Sequence, residues 1–233
     1  MKTLFALSLL LLIPSLSWGE TASSLNSNKK AYISLSTGVI SDIDIHTKAT
    51  NLGVPFRNDW DLKNPTHNFS FAIGKKVFDD YRVELNFSQT DLISQGSTIT
   101  SNNTPVTETA DKHPELLVQN YQVFLYRDFN YSKKIKPYLG IGAGRTVYKS
   151  NERTSTIAPI TCTTKSDYKY DYDYAVKTGL NYQINDTYDF FSEITYQNLK
   201  PFTLKDNAVQ CTFDLDYGVE PLTTTSLGVR MKF

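Results

Sequence analysis

The sequence predicts an all-β fold: an eight-stranded antiparallel up-and-down transmembrane β-barrel with four long extracellular loops. Three observations predict it. Eight segments of about ten residues alternate apolar and polar side chains with a period of two. The connections between them alternate strictly between short and long. The polar face of the segments carries charges of both signs, with glycines between them.

Residues 1–19 read as a cleaved signal peptide. Lys2 supplies a positive start, Leu4 to Ile13 an apolar core too short to span a bilayer, and Ser17-Trp18-Gly19 a cleavage site. Residues 20–30 are a short periplasmic N-terminal segment, and residues 31–233 are the barrel domain. The strands are Tyr32 to Val39, Asn68 to Gly74, Tyr81 to Ser88, Gln119 to Asp128, Tyr138 to Tyr148, Tyr172 to Tyr182, Tyr188 to Gln197 and Thr224 to Phe233. In the third, Tyr81, Val83, Leu85 and Phe87 face one way and Arg82, Glu84, Asn86 and Ser88 the other. Ten tilted residues cross a hydrocarbon core, whereas globular strands average about five or six.

The short connections are Lys75 to Asp80, Phe129 to Lys136 and Gln183 to Thr187. The long ones run from Ser41 to Thr66, Gln89 to Glu115, Lys149 to Lys169 and Asn198 to Leu222. A soluble sandwich has no reason to make its two ends so different, whereas an outer-membrane barrel has short periplasmic turns and long outer loops. The apolar face then meets lipid and the polar face fills the lumen. Arg82, Glu84, Lys177, Asp189, Glu193, Arg230 and Lys232 are expected inside as a charge network, because buried charges must pair. A soluble lipocalin-like barrel, oily inside and charged outside, is the rival arrangement.

The chain holds 24 basic and 24 acidic residues, and this balance argues against a nucleic-acid partner. Aromatics make 13% of a chain that is only 40% hydrophobic. Tyr81, Phe87, Tyr121, Tyr138, Tyr148, Tyr172, Tyr174, Tyr188, Phe190, Tyr196 and Phe233 fall near strand ends, where two interfacial girdles are expected. Two cysteines, Cys162 and Cys211, lie in the third and fourth long connections. Exported chains meet an oxidising compartment, so one disulfide is expected, pinning neighbouring loops.

The end of the chain, Leu227, Val229, Met231 and Phe233 in alternation, resembles the C-terminal signature of bacterial outer-membrane barrels. That resemblance implies an assembly signal read by the barrel-assembly machinery. Pro137-Tyr138-Leu139-Gly140-Ile141-Gly142-Ala143-Gly144 resembles a strand of the small eight-stranded opacity-like and OmpA-like surface proteins, and Tyr126-Arg127-Asp128-Phe129 is similar to the strand end before it. The resemblance implies a Gram-negative outer-membrane location among lipid and lipopolysaccharide. That family's separate peptidoglycan-binding domain is not expected, since the sequence ends at Phe233.

No cofactor and no metal are expected. Gly140, Gly142 and Gly144 continue into a strand rather than a helix, so they leave interior room for bulky neighbours instead of cradling phosphate. The acidic pairs of Asp171-Tyr172-Asp173 and Asp214-Leu215-Asp216 are too few in oxygens for calcium. Among His46, His67 and His113, His67 near Ser70 is the first suspect for a lipid-modifying site. The expected function is non-enzymatic: envelope structure and loop-mediated adhesion, with a host or cell-surface ligand, or phage, meeting the loops. A narrow channel and a lipid-modifying enzyme are the alternatives.

Overall fold

A computed structural model describes residues 31–233 apart from 42–43, 52–53, 63–65, 103, 158–159, 167 and 208–211. The expected leader and N-terminal segment, residues 1–30, lie outside the described residues. Those described form strands and turns with no helix. In chain order the strands are β1 (Ala31–Ser41), β2 (Ile45–Asn51), β3 (Val54–Leu62), β4 (Thr66–Phe78), β5 (Tyr81–Ser101), β6 (Thr104–Val106), β7 (Thr109–Ala110) and β8 (Glu115–Asp128). Then come β9 (Ile135–Ser150), β10 (Arg153–Ile157), β11 (Ile160–Thr164), β12 (Tyr168–Gln183), β13 (Tyr188–Asn198), β14 (Phe202–Asn207), β15 (Thr212–Val219) and β16 (Leu222–Lys232).

Eight of these close a barrel. β1 pairs β4, β4 pairs β5, and the ladder runs on through β8, β9, β12 and β13 to β16, every pair antiparallel. β16 then returns to β1, with Tyr32 opposite Lys232 and Ile40 opposite Thr224. Closure leaves no unpaired barrel edge, the condition for a sheet to sit in hydrocarbon.

The outer surface is apolar where a soluble protein would be polar. Leu85 is 61% exposed and Ile141 is 60% exposed, and Ile73, Val123, Leu125, Leu180, Ile194, Leu227 and Val229 are exposed with them. Their strand neighbours Glu84, Gln122, Asn181, Glu193 and Arg230 are buried inside. The lipocalin-like rival required the reverse.

The height of this oily belt can be read from one strand. On β12 the outward residues from Tyr182 to Tyr172 include Leu180 and Val176, and the two tyrosines stand ten residues apart. At about 3.3 Å per residue and a tilt of about 40°, that spans about 25 Å, the height of a barrel's lipid-facing band.

Above the belt the pattern changes sides. On β5 the outward residues turn from Leu85 and Phe87 to Gln89 and Asp91, while the inward ones turn from Glu84 and Asn86 to Leu92. On β8, going the same way, outward Leu125 and Val123 give way to Gln119 while inward Gln122 and Asn120 give way to Val118 and Leu116. The outward Gln119 and Gln89 side chains bond each other at 3.1 Å. Polar outside and apolar inside is the pattern of a surface in water. The flip therefore marks the level at which hydrocarbon ends.

Beyond that level the long connections are themselves sheet. β5 runs to Ser101, and β14, β15, β2, β3, β5 and β6 form one continuous antiparallel crown. A second, three-stranded sheet joins β11, β10 and β7. From sequence these stretches are expected as loops, because their Ser-, Thr- and Asn-rich residues give no strong alternation; backbone pairing makes them strands instead.

Candidate functional site

The lumen is packed in three layers, and each follows from which side chains the strands turn inward. The layer nearest the short turns is charged. Arg82 is only 2% exposed, and its Nε donates to Asp128 Oδ1 at 3.0 Å. Its Nη1 donates to the Tyr32 hydroxyl at 3.0 Å and approaches Glu84 Oε2 at 3.4 Å. Glu84 is satisfied on both oxygens, by Tyr32 at 2.9 Å and Tyr126 at 3.0 Å. Lys177 Nζ lies 3.0 Å from Glu193 Oε1, while Tyr138 donates to Glu193 Oε2 at 3.0 Å. Lys232 donates to Asp189 at 2.8 Å. The Arg82 guanidinium carbon lies 3.8 Å from the Tyr126 ring centre and 4.6 Å from that of Tyr138. Paired, bonded on both oxygens and stacked, these charges escape the penalty of isolated buried ions.

All seven charged residues expected inside are in this layer, and Arg230 makes no ion pair there among the described residues. Four partners were missed: Tyr32, Asp128, Tyr126 and Tyr138. Tyr138 and Tyr148, expected in the girdles, are instead buried within the barrel. Their parity could have shown it, since both alternate in step with Gly140, Gly142 and Gly144 rather than with Leu139 and Ile141.

The glycines make the stacking possible. A Cβ on Gly140 would lie 2.4 Å from the Tyr126 ring, one on Gly142 2.4 Å from Phe124, and one on Gly74 2.1 Å from Tyr32. Each aromatic lies flat over a neighbouring strand that offers no side chain. Gly140→Ala is expected to displace Tyr126 from Glu84 and lower stability by about 1–3 kcal/mol, seen as an earlier urea midpoint of the folded protein in micelles.

The middle layer is amides and hydroxyls. Asn86 donates to Ser70 at 2.8 Å, and Asn120 accepts from Thr146 at 2.8 Å and Gln197 at 2.7 Å. Gln122 donates to Asp173 at 2.8 Å, and Gln197 bonds the same carboxylate oxygen. The free space here is about 20 Å³, room for about one water.

The top layer is apolar. Ile40, Leu92, Leu116, Val118 and Tyr148 from the barrel meet Ile45, Trp60, Phe202, Tyr217 and Val219 from the crown. Tyr148 stacks on Phe202 at 4.0 Å, Phe202 on Tyr217 at 4.9 Å, and Trp60 meets Tyr217 edge-on at 5.9 Å. The charged plug expected from the sequence is therefore only the lowest third of the filling.

The suspected hydrolytic pair does not assemble. Ser70 is buried and bonded to Asn86, whereas His67, three residues away on an alternating strand, is exposed on the outer face. Among the described residues no group of three or more His, Cys, Asp or Glu could hold a metal. Asp173 belongs to the amide layer. The side chain of Asp214 lies outside the described residues, as does Cys211. Cys162 is buried in β11 opposite Ser155, and among the described residues no cysteine is free.

Outside the barrel, from the upper edge of the belt to just above it, Tyr174, Tyr172, Tyr170 and Tyr168 stand exposed in one row. Arg145 lies 4.4 Å from the Tyr170 ring and Lys149 5.1 Å from that of Tyr168. Aromatic rings and cations at this height suit the headgroup region. At the other rim Phe78, Tyr81, Tyr131, Tyr188 and Phe233 are exposed. Leu227, Val229 and Met231 share the outward face of β16, and Phe233, just past its end, is exposed.

No protein-family model and no curated protein matches the chain. Solved structures do. It is similar to the outer membrane protein OprG from Pseudomonas aeruginosa at 12% identity and a TM-score of 0.57, covering 88% of this chain and 96% of that one. It is similar to the outer membrane protease OmpT from Escherichia coli at 9% identity and a TM-score of 0.54, covering 92% of this chain and 99% of that one. The fold is that of the outer-membrane β-barrels.

Proposed function

We propose that this chain is a non-enzymatic outer-membrane surface protein that offers its crown for contact with another cell, a host surface or phage. The observation that carries the reading is the crown itself, a six-stranded sheet seated on the apolar layer that also caps the lumen. A stiff platform above a sealed barrel suits recognition better than conduction. In this orientation the short turns lie in the periplasm and the tyrosine row with Arg145 and Lys149 meets the phosphorylated headgroups of lipopolysaccharide. Outward-facing Leu227, Val229 and Met231, with Phe233, serve as the signal for the barrel-assembly machinery.

Cells expressing the wild type are expected to bind surfaces that cells expressing a variant with residues 45–62 replaced by a short turn do not, both variants keeping a heat-modifiable band. Equal binding by both defeats the contact reading. Purified protein in planar bilayers is expected to give no large steady conductance, because the amide and apolar layers close the lumen. Lipid A from cells overexpressing the wild type and His67→Ala should be identical. A change confined to the wild type would favour the enzyme.

A disulfide between Cys162 and Cys211 completes this reading. Closing a loop of this length is worth roughly 4 kcal/mol in the chain-entropy view. Heated protein should migrate differently with and without reductant, while Cys162→Ser should migrate as the reduced form under both conditions.

A further inference from the structure

The turn end of the lumen opens into a cavity of about 390 Å³, at the small end of the roughly 300–1,000 Å³ of small-molecule sites. Its walls carry six cations, Lys76, Arg82, Lys134, Lys136, Arg230 and Lys232, against the carboxylates Asp79, Asp128, Asp186 and Asp189. Two carboxylates are matched within the walls, Asp128 by Arg82 at 3.0 Å and Asp189 by Lys232 at 2.8 Å. What is left is Arg230 and three lysines against Asp79 and Asp186, and Asp186 already accepts from Gln183 at 3.4 Å. The pocket thus holds an excess of two positive charges.

Arg230 is the decisive wall residue. It is only 4% exposed, yet among the described residues it makes no ion pair, and its Nε has no acceptor. Its cross-strand neighbour is Asp189, whose Oδ1 is held by Lys232 instead. The Tyr32 ring at 4.5 Å and the Phe191 ring at 5.3 Å fix the guanidinium but supply no oxygen. Glu84 and Asp189 lend Arg230 some opposing field, but a buried guanidinium with no carboxylate within ion-pair distance gains from an anion that reaches it. Its rigid fork suits a phosphate or carboxylate group. Lys134 and Lys136, on the turn and strand start beside the opening, would draw such a group inward.

We infer that this vestibule is a binding site for a small dianionic oxyanion, a phosphomonoester or a dicarboxylate, with Arg230 as its anchor and Lys76, Lys134 and Lys136 as its rim. The inference rests on the cavity and its charges alone and does not depend on what the crown contacts.

The test is titration calorimetry on the folded full chain in zwitterionic micelles at constant ionic strength. The probes are inorganic phosphate, glycerol 2-phosphate and succinate, with sodium chloride as the blank. The expected result is saturable one-to-one binding of at least one probe. Its affinity should fall tenfold or more in Arg230→Gln and several-fold in a Lys134→Ala/Lys136→Ala variant. Binding by the two phosphates alone assigns a phosphoryl ligand, and binding by succinate alone a dicarboxylate. Should Arg230→Gln fail to give a heat-modifiable barrel, the double-lysine variant at the rim decides. Absence of saturable binding in the wild type, or affinity untouched in the variants that fold, overturns the inference.

Discussion

Arg82→Ala should lower the stability of the folded barrel by about 3–5 kcal/mol, the usual cost of removing one partner from a buried ion cluster. The single guanidinium holds Asp128 at 3.0 Å and Tyr32 at 3.0 Å, approaches Glu84 at 3.4 Å, and stacks on Tyr126 and Tyr138. Its loss leaves two carboxylates in the lumen facing each other's field. Glu84 keeps its two tyrosine donors, but Asp128 loses its only ion-pair partner among the described residues. Equilibrium unfolding in urea, with the barrel in phospholipid vesicles, measures the change. Adding Glu84→Gln and Asp128→Asn to Arg82→Ala is expected to recover much of the loss, because the unpaired charges go with the arginine. A loss below about 1 kcal/mol for Arg82→Ala would mean that water, not the strands, solvates this layer.

Ile141→Arg should cost about 2–4 kcal/mol in the same assay, because it places a charge near the middle of the lipid-facing belt. The expectation is distinctive because Ile141 is 60% exposed. On a water-soluble protein, an exposed residue that touches little tolerates substitution within about 0.5 kcal/mol. Arginine placed at Asp91, exposed above the level where the pattern flips, should lie within that small range. A steep penalty at one exposed site and none at another a few residues higher is a signature only a bilayer produces.

The barrel was legible because its signal is simple. Period two, strands long enough to cross a belt, and unequal ends require nothing but the chain. The inward charges were legible by the same parity, from Arg82 and Glu84 on one strand to Arg230 and Lys232 on the last. What escaped were residues whose type misled. Tyr138 and Tyr148 resembled girdle aromatics, although their step with Gly140 to Gly144 placed them inside. The apolar cap escaped because Leu92 falls in the stretch from Gln89 to Glu115 expected as a loop, and Leu116 and Val118 precede the strand expected from Gln119, so the inward face was not followed up to where it turns apolar. Parity reversal within one continuous strand marks a change of solvent, oil below and water above, and it was present in the sequence of β5 and β8. The crown escaped because Ser-, Thr- and Asn-rich strands pair through backbone and across-sheet contacts that no local pattern announces. Trp60, buried against Tyr217, was visible only as a lone tryptophan between two aspartates.

The most direct test is spin-label accessibility in vesicles, one label at a time, at Leu85, Ile141, Leu180 and Val229 on the outside and at Leu92 and Leu116 higher up and inside. The four outward labels should collide readily with lipid-dissolved oxygen and hardly at all with a water-soluble nickel chelate, while Leu92 and Leu116 should be shielded from both. Outward labels freely quenched by the nickel chelate would contradict the assignment of that face to hydrocarbon.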